Sequence, residues 1–293
     1  MKMRLYQKAA ATALLLVSAA LSAQTVVTVN GTPVDSKDVE RRARIFQANS
    51  NGQIQDGPEL RNEITRELII ETLVTQEAKR LKLDKGSDYQ KMESEALKAL
   101  KAEGLDKDKN FQQNWADYRN HLLMRAYALD IARKNPISDA ELRQQYQRIA
   151  DYYRNSEEVQ LGLIVTDKAE QARAALKELK AKKKFSEVAV KYSLRADAKQ
   201  TGGIDPEYMP LKNLKEQNPT VYQAVSGLGK GQYTPSPLQE GNIGLILYVN
   251  DKRKVQLPAF EALKPEIEQN LHQIHWDAAV DALGQKAKIV PAK

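Results

Sequence analysis

The chain has 293 residues, enough for two modest domains that each bury a core. Its 42% hydrophobic and 28% charged content is that of an ordinary soluble protein and names no function by itself. The absence of cysteine excludes disulfides, a thiolate nucleophile and a lipid attached through cysteine, and a formal charge of +7 is only mildly basic.

The first 23 residues have the layout of an export signal. Lys2, Arg4 and Lys8 form a positive start, Ala9 to Ala20 a short apolar core, and Leu21-Ser22-Ala23 a small-residue cleavage site before Gln24. The stretch is short for a bilayer span, and no later segment reaches the roughly 20 apolar residues a membrane helix needs. The sequence therefore predicts a signal peptide over 1–23 and a periplasmic protein with no integral membrane segment once the signal is removed. Losing the three positive charges brings +7 down to +4. Lys180 to Lys184 contains four lysines, but they fall where a helix should end and where cations suit the helix dipole, so no nucleic-acid partner is expected.

Val26-Val27-Thr28-Val29, Asn30-Gly31 and Thr32-Pro33-Val34 predict a short hairpin, because Asn-Gly accepts the positive φ angles of a two-residue turn. Asp35 or Ser36 is placed to cap a helix over Lys37 to Gln47. After a polar stretch, Leu60, Ile64, Leu68, Leu73, Ala78 and Leu81 recur near helical spacing, with charged residues on the opposite face. Two further helices are expected, Tyr89 to Glu103 and Phe111 to Lys134, the second ended by Pro136. Ser138-Asp139-Ala140-Glu141 has the form of a capping box for a helix over Glu141 to Tyr152. Pro258 leads into a long amphipathic helix, Phe260 to Gln285, with Phe260, Leu263, Ile267, Leu271, Ile274 and Leu283 as its apolar stripe.

Between these helical flanks the pattern changes: a strand (Val159 to Val165), a helix (Ala169 to Lys182), Phe185 to Ser193, Gly202-Gly203, a turn at Leu228 to Gln232 and an apolar strand from Ile243 to Val249. This order resembles a parvulin-type peptidyl-prolyl isomerase. The N-terminal hairpin, Glu67 to Leu83, and Pro258-Ala259-Phe260-Glu261-Ala262-Leu263-Lys264 extend the likeness to exported foldase chaperones of the SurA and PrsA type. The implied fold is α+β: a mostly helical chaperone domain built from the N-terminal helices and the C-terminal helix, with an inserted parvulin-like α/β lobe. The expected divisions are 24–155 for the helical region, 156–254 for the isomerase-like domain and 255–293 for a helix packing back on the N-terminal region.

The resemblance also assigns positions in the isomerase groove, and here the chain departs from the family. Both family histidines fall on glycine, Gly162 in the first strand and Gly244 in the last. The acidic or cysteine position falls on Arg195, and the apolar wall of the proline pocket falls on Gln217, Val221 and Ser226, a placement that could slip by one residue to bring in Tyr222. The chain's three histidines, His121, His272 and His275, all lie outside this segment. His272 and His275 have the spacing of a metal pair but no third ligand is evident, so no metal and no cofactor are expected. His121 reads as a helix-surface residue, Trp115 and Trp276 as anchors in a core or interface. The expected partners are unfolded or newly exported polypeptides, with outer-membrane proteins among the candidates. A homodimer is compatible with the sequence, which leaves arm exchange between chains open.

Overall fold

The computed structural model describes residues 24–50, 53–241 and 243–292, so the signal stretch Met1–Ala23 lies outside it. The described chain forms two compact units. One comprises the residues up to Ile137 together with Asn270–Lys293, and the other is Ser138–Gln269.

The first unit opens with the hairpin β1 (Thr25–Val29) and β2 (Thr32–Asp35), turned through Asn30 at φ 50° and Gly31 at φ 83°. Helices α1 (Ser36–Asn49), α2 (Pro58–Arg80), α3 (Ser87–Ala102) and α4 (Phe111–Lys134) follow. Asp35 occupies the position before α1 but does not cap it. Its carboxylate instead accepts a hydrogen bond from the Thr25 hydroxyl at 3.1 Å, across the hairpin. Pro58 begins α2 at the position where a missing N–H costs nothing.

Two clusters make up this unit's core. Val27, Val29 and Val34 of the hairpin pack on Val39 and Ala43 of α1 and on Ile64, Leu68 and Leu73 of α2. Val74 and Ala78 of α2 join Tyr89 with Leu122, Leu123, Ala126, Tyr127 and Ile131 of α4. The C-terminal part of the chain completes both clusters: Trp276, Ala279, Val280 and Leu283 cover the second, and Leu283 and Ala287 reach the first.

The second unit contains α5 (Asp139–Tyr153), β3 (Glu157–Thr166), α6 (Ala169–Lys180), α7 (Phe185–Tyr192), α8 (Ala198–Thr201), β4 (Ile204–Pro210), α9 (Leu211–Gln217), α10 (Pro219–Val225), β5 (Leu238–Glu240) and β6 (Ile243–Lys254). The Ser138 hydroxyl accepts from the Glu141 N–H at 3.2 Å, as a capping residue should. Helix α5, grouped by sequence with the N-terminal region, clusters with this unit instead. Tyr146 of α5 meets the Phe260 ring edge-on at 5.6 Å, and its hydroxyl donates to the Pro258 carbonyl.

The lobe's sheet is antiparallel, in the order β4-β3-β6-β5. Helix α11 (Phe260–Lys286) leaves the second unit at Gln269 and continues in the first, where β7 (Ile289–Pro291) pairs antiparallel with β1. The lobe is thus an insertion in chain order, and the fold is α+β. Along α11, Ile267 and Leu271 are buried, but Ile274 is 48% exposed. Two residues from Trp276 is about 200° around a helix, which turns Ile274 away from the face that packs on α4.

Candidate functional site

The lobe's sheet is covered on both faces, and strand alternation decides which residue meets which helix. Ile164 and Ile246 face α6 and α7 through Ala175, Leu176, Leu179, Phe185, Val188 and Ala189. Val159, Leu161, Leu247 and Val249 face α9 and α10 through Leu214 and Val225.

Gly162 and Gly244 both lie on the first of these faces. Gly162 stands opposite Tyr248, and Gly244 opposite Thr166, with the pair Ile164 and Ile246 between them on the ladder. Neither glycine leaves an open space. A Cβ at 162 would sit 2.6 Å from Phe185 Cε1 and 3.0 Å from Tyr248 Cδ1, and those two rings stack with centroids 4.3 Å apart. A Cβ at 244 would sit 2.8 Å from the Ala172 methyl and 2.9 Å from Thr166 Oγ1. The Thr166 hydroxyl, fully buried, is used in hydrogen bonding to the Gly244 carbonyl at 3.2 Å. What surrounds the two positions is therefore aromatic and aliphatic packing with one satisfied hydroxyl.

Arg195, in the loop after α7, is tied down. Its guanidinium donates to both carboxylate oxygens of Asp197, at 3.0 and 2.7 Å, and to Asp205 at 2.7 Å. These hydrogen bonds, that to Asp197 foremost, hold its pKa above the ordinary arginine value and push that of Asp197 below the usual carboxylate range. The loop is anchored to β3, because the Leu194 N–H donates to the Val165 carbonyl and the Val165 N–H to Ser193 Oγ.

Gln217 is exposed at the end of α9. Val221 and Tyr222 of α10 are half-buried against the other face of the sheet, and Ser226 ends α10 with its carbonyl accepting from Lys252 at 3.0 Å. The glycines and the Val221 region therefore lie on opposite faces of the sheet. Sequence reasoning missed Phe185 and Tyr248 as the residues that pack against Gly162. Phe185 opens a stretch singled out in the sequence and Tyr248 lies in an expected strand, but only the ladder register and helix packing bring them together at Gly162.

Elsewhere, His121, His272 and His275 all belong to the first unit, and no group of three or more His, Asp or Glu able to hold a metal occurs among the described residues. No described helix is long and apolar enough to cross a membrane.

Residues 137–265 match the PPIC-type PPIase domain. Over that stretch the chain is similar to the parvulin family. Beyond the parvulin domain, the chain is 26% identical over 268 residues to a probable parvulin-type peptidyl-prolyl cis-trans isomerase of Bordetella pertussis, covering 91% of this chain and 93% of that protein. It is 24% identical to the foldase protein PrsA of Clostridium botulinum, covering 85% and 81%. Among solved structures, a SurA-like chaperone of Campylobacter jejuni is 19% identical with a TM-score of 0.40, covering 92% and 99%. The PrsA isomerase of Bacillus anthracis is 22% identical with a TM-score of 0.41, covering 76% and 96%.

Proposed function

We propose that this parvulin-family protein is a periplasmic folding factor that holds unfolded exported polypeptides and has weak or no isomerase activity. Rotation about an X-Pro bond crosses a barrier of about 18–20 kcal/mol. An enzyme lowers it by gripping the ring in an apolar pocket and favouring the twisted amide through placed polar groups. The reading rests on one observation: both histidine positions are glycine, and the space beside them is filled by Phe185, Tyr248, Ala172 and Thr166. If the missing groups supplied about 3 kcal/mol of transition-state stabilisation, their loss costs roughly two powers of ten in rate.

Client binding needs less precision. Apolar grooves between amphipathic helices, rimmed by charge, hold many segments weakly. The clients are newly exported chains, outer-membrane proteins among them, delivered on the same side of the membrane to which the sequence of 1–23 directs this protein. A homodimer is a compatible assembly. Family membership favours a second reading, in which the protein is an active isomerase on X-Pro bonds of the same clients. Measuring suppression of aggregation of an unfolded outer-membrane protein separates the two: the holding reading expects suppression without proline dependence, and a protein with no effect on aggregation contradicts it.

A further inference from the structure

Three cavities among the described residues of the helical unit differ in how their cations are used. In the cavity lined by Glu77, Arg80, Asp130 and Lys134, Arg80 pairs with Glu77 and Lys134 with Asp130. In the one between α1 and α4, Arg41 pairs with Asp117 and Arg42 with Glu71. The third is a trough of about 250 Å³ between α4 and α11, with an apolar floor of Ala128, Ala132, Ile131 and Trp276. Arg125 and His272 line it as well, and neither has an ion-pair or hydrogen-bond partner among the described residues. Trp276 is braced by the edge of Tyr127, with ring centroids 6.0 Å apart, while Leu129 at the trough is 41% exposed.

We propose that this trough docks a segment of unfolded polypeptide in which one bulky apolar side chain stands next to an aspartate or glutamate. The inference rests on the holding function proposed above and names the kind of segment held. Size supports it: about 250 Å³ falls short of the ~300–1,000 Å³ of a site that encloses a whole small molecule, and suits a single large side chain. Charge supports it too. The trough has the floor of an apolar pocket, yet the charged group among its described lining residues is the unpaired Arg125 guanidinium, so an apolar group that brings a carboxylate gains an ion pair without displacing an existing one. In the other two cavities an incoming carboxylate must compete with Glu77, Asp130, Asp117 or Glu71 for the same cations.

The test is an NMR titration of the mature protein labelled at the tryptophan indoles, which separates Trp276 in the trough from Trp115 outside it. Four Gly/Ser peptides carry a central Leu-Glu, Leu-Gln, Leu-Lys or Ser-Glu. The expected result is that Leu-Glu shifts the Trp276 signal and not that of Trp115, and binds about fivefold tighter than Leu-Lys at low salt, a difference that shrinks at high salt. Ser-Glu should leave Trp276 unmoved. Arg125→Glu should reverse the Glu over Lys preference, and because Arg125 is exposed on α4 the variant keeps the core intact. Equal binding of Leu-Glu and Leu-Lys, an unchanged preference in Arg125→Glu, or a response of Trp276 to decanoate but to no peptide would overturn the proposal. So would a Trp276 signal that moves with protein concentration alone, which would make a second copy the occupant. Aggregation suppression, measured on the same samples, distinguishes the failures: if it persists while the peptides fail, the trough is wrong and the holding function stands.

Discussion

Replacing Gly244 by alanine probes how tightly the surroundings of this glycine are packed. The new methyl would meet the Ala172 methyl at 2.8 Å and Thr166 Oγ1 at 2.9 Å, both closer than a Cβ approaches any non-bonded atom in a packed core. Ala172 is fixed to the backbone of α6 and cannot rotate away, so the helix itself must shift from the sheet. Overpacking of this kind costs about 1–3 kcal/mol. Ala172→Gly removes the opposing methyl at a helix cost of about 1 kcal/mol. In the double variant Ala172→Gly/Gly244→Ala the two changes should be coupled by about 1–2 kcal/mol in the favourable sense. Both tryptophans, Trp115 and Trp276, lie in the first unit. Tryptophan fluorescence therefore follows that unit, while hydrogen exchange of the amides of β3 and β6 follows the lobe. Gly244→Ala should speed exchange in β3 and β6 and leave the fluorescence transition in place, and the double variant should recover part of the protection. Unchanged exchange in Gly244→Ala, or strictly additive single effects, would refute the packing argument.

Gly162→His should destabilise the lobe by about 1–3 kcal/mol, because the imidazole can enter only by displacing the Phe185 and Tyr248 stack, and Gly162→His/Gly244→His should gain no isomerase rate in a proline-peptide assay. Glu178 accepts hydrogen bonds from Lys191 first and also from Lys183 and Tyr192, which bring its pKa from 4.5 down to about 2. A carboxylate lowered in this way stabilises the fold fully above its unfolded value and loses that contribution as pH falls from about 4.5 to about 2, so Glu178→Gln should flatten the acid limb of lobe stability in that window when exchange is followed against pH. Deleting residues 260–293 removes β7 from β1 and Trp276, Val280 and Leu283 from the helical core, and the denaturation midpoint reported by Trp115 should fall sharply; an unchanged midpoint would contradict the inserted-lobe architecture.

Local signals carried the reading of the fold where one chemical reason dominated. Asn30-Gly31 specified the hairpin through positive φ, and the helix expected over Phe111 to Lys134, ended by Pro136, has the bounds of α4. Strand β4 went unrecognised because Pro206 and Pro210 argue against a strand, and a sheet tolerates them at an edge, which is where β4 lies. Asp35 looked like a cap by type, but a cross-hairpin partner, Thr25, claimed its carboxylate. In the candidate site, the glycines at 162 and 244 could be read from the sequence. Their surroundings could not, since Phe185, Tyr248 and Ala172 meet them only through strand register and helix packing, which depend on residues distant along the chain. Arg195 was visible as a lone cation, and its capture by Asp197 and Asp205 required the loop's path.

The central claim is that the parvulin lobe has kept its fold without its histidine-based chemistry. The most direct measurement is the rate of cis-trans isomerisation of a proline tetrapeptide by the mature protein at catalytic concentration, run beside suppression of aggregation of an unfolded outer-membrane protein. The account predicts a rate within a small factor of the uncatalysed one together with clear suppression at stoichiometric protein. Robust turnover that disappears when residues 156–254 are deleted would contradict it.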